Sequence, residues 1–110
     1  MSLFTSVILL AFQTAPAPAP PPCAAPEFSQ FDFWIGEWDV YPNGKDNKVA
    51  HSKIEKLYTG CAIRENWMPL KGPGGGSLNA YNPATKSWHQ TWVGSAPGHV
   101  NFDGGFTGGK

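Results

Sequence analysis

Charge is scarce in this sequence. Asp, Glu, Lys and Arg together make up 15% of its 110 residues, and the formal net charge is zero. There is no run of Lys or Arg, so the basic footprint of a nucleic-acid-binding protein is missing and no nucleic-acid partner is expected. Long apolar stretches are missing too. The longest, Leu3 to Phe12 (LFTSVILLAF), falls well short of the roughly 20 residues a spanning helix needs, so no stable membrane span is expected. Cysteine is limited to Cys23 and Cys61, too few and too far apart for a redox pair or a zinc knuckle. No Gly-x-Ser-x-Gly elbow occurs. The glycine-rich stretch at 72–76 (GPGGG) lacks the Gly-Lys-Ser/Thr ending of a phosphate loop and leads into no helix, so it reads as a loop between strands. No group of His, Cys, Asp and Glu has metal-ligand spacing. Neither a metal nor a cofactor is expected.

The N-terminus has the character of an export signal. The apolar run at Leu3–Phe12 suits the central region of a signal peptide, and small-residue cleavage patterns follow at Ala15-Pro16-Ala17 and Ala17-Pro18-Ala19. A buried or interfacial segment of a cytosolic protein is the competing reading. The expected organisation is a signal peptide at 1–19, a Pro/Ala-rich spacer at 20–26 and a folded domain at 27–110, placed in the periplasm or outside the cell. In an exported chain an even pair of cysteines suggests a Cys23–Cys61 disulfide. Loop-closure entropy gives such a bond roughly 4 kcal/mol at most. A lipid anchor on Cys23 is the rival, in a poor context after Pro20-Pro21-Pro22.

Aromatic residues, in contrast, reach 14%. They crowd into residues 31–40, FDFWIGEWDV. Ser29 stands where a helix N-cap would, Asp32 where a capping box wants a carboxylate, and Phe28 and Phe33 at the staple positions. Gly36 can end the turn. The spacing thus predicts a short helix over 29–35 with Phe31, Trp34 and Ile35 on neighbouring positions. From Glu37 the pattern alternates, as a half-buried strand does. Residues 49–58 fit either a strand or a helix through Ala50, Ile54 and Leu57. Cys61–Leu70, Ser77–Tyr81, Ser87–Val93 and Val100–Phe106 read as further strands, separated by turn residues. The fold class is all-β, an antiparallel up-and-down meander of about six strands. Around eight strands are needed to close a barrel, so the expected barrel is incomplete.

The segments FDFWIGEWDV, Gly60-Cys61-Ala62 with Glu65 and Trp67, Ser77-Leu78-Asn79 with Tyr81-Asn82, and WHQTWV at 88–93 together resemble an uncharacterised, mostly bacterial family of unknown function. That family has a lipocalin-like (calycin) β-barrel. The resemblance covers about residues 23–107. It implies a barrel in which Gly36-Glu37-Trp38 is the Gly-x-Trp signature of the first strand. The preceding turn would cover one end and Trp38 would pack across the base. Family members continue through further strands that close the barrel, so the resemblance also implies that strands are missing here. It implies no activity.

Strand alternation sorts the candidate residues. Ile63, Glu65 and Trp67 share a face of their strand, as do Asn79 and Tyr81, and Trp88, Gln90 and Trp92. Aromatic rings mixed with a few polar groups suit a ligand cavity; an ordinary outward face is the alternative. The expected function is binding of a small, mostly apolar molecule against Trp38, Trp67, Tyr81 and Trp92, oriented by Glu65, Asn79 and Gln90. A second possibility is acid–base catalysis by Glu65, which could equally be paired with a Lys or Arg. A third is a fragment without independent function, or half a barrel that needs a partner chain. His89 could be a general base or a haem or metal ligand, but alternation sets it opposite Trp88, where an exposed strand histidine is the plainer reading. His51 and His99 stand alone.

Overall fold

The computed structural model describes residues 20–108; the expected signal peptide lies outside them. Among these residues six strands form one antiparallel sheet in sequence order: β1 (Gly36–Val40), β2 (Ala50–Leu57), β3 (Ala62–Pro69), β4 (Gly75–Asn82), β5 (Ser87–Val93) and β6 (Val100–Gly104). β1 and β6 are the two edges and do not pair with each other, so the sheet is barrel-like but not closed. Among the described residues no helix is long and apolar enough to cross a membrane.

Local chemistry sets the turns. Pro42-Asn43-Gly44 reverses the chain after β1, with the Lys45 amide donating to the Pro42 carbonyl at 3.0 Å. After β4 the Asn82 side chain accepts from the Ala84 amide at 2.9 Å, an Asx turn. The segment that also fitted a helix is β2. Period two puts Ala50 and Ile54 on one face, 0% and 2% exposed, and Leu57 on the other. Pairing on both sides, with β1 and β3, outweighs its local ambiguity. The glycine-rich stretch is not all loop, since β4 already starts at Gly75. Gly75 lies under the Trp92 ring, and a Cβ there would sit 2.6 Å from Trp92 Cζ2. Only glycine permits so close an approach.

The expected helix at 29–35 is replaced by two 3-10 turns, Pro26–Ser29 and Asp32–Trp34. Ser29 ends the first turn and caps nothing. Asp32 is drawn instead into an ion pair with Lys56 of β2, whose ammonium also donates to the Phe28 carbonyl at 2.8 Å. The Phe28–Phe33 staple does not form. Phe28 is buried and meets Tyr81 edge-on at 5.4 Å, whereas Phe33 is 67% exposed. Long-range contacts with the sheet thus override the local helix signals.

Those turns cover one end of a sheet face, here termed the inner face. Ile54, Ile63 and Trp88 form its buried cluster, and Phe31, Trp34, Ile35 and Tyr81 pack against it. The Phe31 and Trp88 rings meet edge-on at 5.1 Å. Burying each such ring contributes roughly 2–3 kcal/mol. Cys23 is disulfide-bonded to Cys61, with the Cα atoms 5.1 Å apart, so the chain ahead of the turns is tied to the β2–β3 hairpin.

The opposite face is polar. Lys48 pairs with Asp39 at 2.8 Å, and these partners, with His51 beside them, hold the Asp39 carboxyl below its usual range. Near the other edge His89 Nδ1 lies 2.8 Å from Asp103 and Nε2 3.1 Å from Asn101 Oδ1. Both ring nitrogens face oxygen acceptors, an arrangement that favours the doubly protonated imidazolium. The bond to Asp103 first, then that to Asn101, raises the His89 pKa above its ordinary 6.5.

A group with a raised folded-state pKa stabilises fully below its unfolded value, and that contribution is lost as pH rises through the folded value. Hydrogen-exchange protection of the β6 amides should therefore fall as pH climbs above about 6.5. In His89→Gln the protection should be flat over the same interval. Equal pH dependence in both proteins would refute the contribution of the His89–Asp103 and His89–Asn101 contacts to holding β6 on β5.

Candidate functional site

The register brings the candidate residues to one face. Trp38 stands opposite Ser52 and Ser52 opposite Trp67; Glu65 pairs with Ser77, Ile63 with Asn79, Asn79 with Gln90, Tyr81 with Trp88, and Ser77 with Trp92. Because alternate residues share a side, Trp38, Glu65, Trp67, Asn79, Tyr81, Gln90 and Trp92 all project from the inner face. His51 and His89 project from the other. Among the described residues no group of three His, Cys, Asp or Glu side chains could hold a metal.

Two hollows lie on the inner face, on either side of Phe33 and Trp34. One, of about 400 Å³, is walled by Phe33, Trp34, Trp38 and Trp67, with Ser52 and Glu65 among its polar groups. The other, of about 420 Å³, holds Asn79 and Gln90 among Phe31, Phe33, Trp88 and Phe102. A larger hollow of about 780 Å³ involves the opposite face, where Arg64, Met68, Leu78 and Val93 contribute to its wall. It is the weaker candidate despite its size, because the connected polar side chains belong to the inner face.

Tyr81 and Trp92 are not in either inner hollow. The Tyr81 ring is spent on the core, 5.4 Å from Phe28 and 5.9 Å from Trp88. Trp92 packs over Gly75. Trp38 does not seal the base of the sheet. It sits on the β1 edge, 45% exposed, with its indole N–H donating to the Trp34 carbonyl at 2.7 Å. That bond fixes the ring as a wall of the first hollow.

A continuous hydrogen-bond chain links the polar residues, and it has one direction. The Ser77 hydroxyl donates to Glu65 Oε1 at 2.8 Å. Its oxygen then accepts from Asn79 Nδ2 at 2.9 Å and from Gln90 Nε2 at 3.2 Å. Gln90 Nε2 also donates to Asn79 Oδ1 at 2.8 Å, and Asn79 Nδ2 to the Ile63 carbonyl at 3.1 Å. A carboxylate can only accept, so Glu65 sets the Ser77 proton. Ser77 in turn sets both amides. Ser77 and Asn79 are buried at 5% and 8% exposure, and Glu65 is half-buried. Glu65 takes part in no ion pair among the described residues.

Ser77, Ser52 and, from the Asp32–Trp34 turn, Phe33 and Trp34 belong to the candidate site although the sequence pattern singled out none of them for it. Period two counted back from Asn79 places Ser77 on the same face. Nothing local announces which ring of the FDFW stretch turns toward the clefts.

Removing the hub should be costly. Ser77→Ala leaves the buried Asn79 amide, the half-buried Gln90 amide and a carboxylate oxygen each short of a partner, a loss of about 1–3 kcal/mol in urea denaturation. Ser77→Thr keeps the hydroxyl and should recover part of it. A Ser77→Ala protein as stable as the parent would show that the chain of bonds does not hold the face.

No protein-family model, no curated protein and no solved structure matches this chain.

Proposed function

We propose that the inner face binds a small, mostly apolar molecule, held against Trp38 and Trp67 and oriented by Glu65, with Asn79 and Gln90 bracing that carboxylate through Ser77. The observation that carries this reading is the directed polar chain from Glu65 to Gln90 running between two ring-lined hollows. Packing alone would fill such positions with aliphatic side chains. Hollows of about 400 and 420 Å³ fall within the size range of small-ligand sites. The disulfide fits an exported protein, since such bonds persist in oxidising compartments.

Titration of the full oxidised chain with the neutral fluorophore N-phenyl-1-naphthylamine should quench tryptophan emission saturably. Trp67→Ala should weaken the binding about tenfold, equivalent to about 1.4 kcal/mol. Quenching that never saturates in a folded sample would overturn the reading.

One observation favours a second reading, in which a partner chain completes the sheet. Among the described residues both edges are unpaired, and Val100 and Phe102 of β6 stay 47% and 54% exposed on the inner face. Free strand edges recruit other strands. Light scattering should then show a mass above the monomer that falls when a proline replaces Asn101 on β6. A monomer at every concentration would remove this reading.

A further inference from the structure

The hydrogen-bond direction and the charge balance of the inner face say what kind of molecule the Glu65 hollow accepts. Every donor in the polar chain is used inside it. Both Asn79 Nδ2 protons go to Ser77 and the Ile63 carbonyl, and both Gln90 Nε2 protons go to Ser77 and Asn79. The Ser77 proton goes to Glu65. What remains without a protein partner among the described residues is the second Glu65 oxygen and Gln90 Oε1, both acceptors. A ligand that meets the chain at either of these two atoms must bring the donor.

The charge balance points the same way. Of the residues the strand register sets on the inner face, only Lys56 and Glu65 are charged. Lys56 is spent on Asp32 and the Phe28 carbonyl. Arg64 is next to Glu65 in sequence but lies on the opposite face. Asp39 contributes to the rim of the same hollow, yet its carboxylate is bound to Lys48. Among the described residues Glu65 therefore carries the uncompensated charge of this hollow, and it is negative. Around it stand three indoles, Trp34, Trp38 and Trp67. Tryptophan faces attract cations more strongly than any other side-chain ring.

We propose that the Glu65 hollow is a site for organic cations, an ammonium group carried on a small apolar body. The ammonium sits against the Trp38 and Trp67 rings and donates to, or lies in the field of, Glu65. The apolar body extends past Phe33. This inference rests on the proposed binding role of the inner face and narrows its ligand class.

The test compares three probes of similar size on the full oxidised chain by isothermal titration calorimetry at neutral pH: benzylammonium, benzyl alcohol and benzoate. The cation should bind about tenfold more tightly than the alcohol or better, and benzoate should bind weakest. Glu65→Gln, which keeps an acceptor for Ser77, should erase the cation's advantage over the alcohol. If that variant does not fold, Trp38→Leu on the exposed edge strand decides, because it should cost the cation at least about threefold and the alcohol less. A cation bound no better than the alcohol, or a preference that survives both substitutions, overturns the cation site while leaving apolar binding in place. If no probe binds, and N-phenyl-1-naphthylamine also fails, the binding role itself falls and this inference with it.

Discussion

The contact between the Pro26–Trp34 segment and the sheet carries the rest of the structure. A single antiparallel sheet needs something over its apolar face, and the described residues offer only this short segment to do it. Phe28 and Phe31 press on Tyr81 and Trp88, Trp34 and Ile35 join the Ile54–Ile63–Trp88 cluster, and Lys56 grips the turns through Asp32 and the Phe28 carbonyl. Trp88 adds a hydrogen bond of 3.0 Å from its indole to Gln30. The disulfide holds the start of the segment against the far end of β2. Because the cover is short, it buries one end of the face and leaves the other as open, ring-lined hollows. Core and site are two halves of one surface.

That division explains where the polar residues sit. Apolar side chains dominate under the cover. Toward the middle of the sheet the positions become Glu65, Ser77, Asn79 and Gln90, and there each polar group needs a partner because water is partly excluded. The chain of bonds satisfies them internally and leaves acceptors at its free ends. Its direction comes from one ionised group, so the hydrogen-bonding character of the whole face depends on Glu65.

Much of this was legible in the sequence. Alternation within the third, fourth and fifth strands, combined with turn residues between them, was enough to expect a meander and to group the candidate side chains by face. That the FDFW stretch covers one end of the sheet followed from the family resemblance alone. Its conformation was not legible, because Ser29 and Asp32 resemble a capping box until Lys56, twenty-four positions later, captures the aspartate. Tyr81 and Trp92 could not be told apart from Trp67 by alternation, since period two gives the face and not the position along it. Tyr81 falls under the cover and Trp92 over Gly75. Ser77 escaped notice because a serine at a strand's start looks like turn chemistry; its role emerges only when the register sets it opposite Glu65.

The account stands on aromatic rings fixed in place on one face of an open sheet. Thermal unfolding of the oxidised chain followed by near-ultraviolet and far-ultraviolet circular dichroism tests this most directly. Rings locked by the cover and the Glu65–Gln90 chain predict a sharp near-ultraviolet signal, lost together with the sheet in one cooperative transition. A flat near-ultraviolet spectrum over an intact sheet signal, the mark of loose packing, would contradict the fixed face and the site built on it.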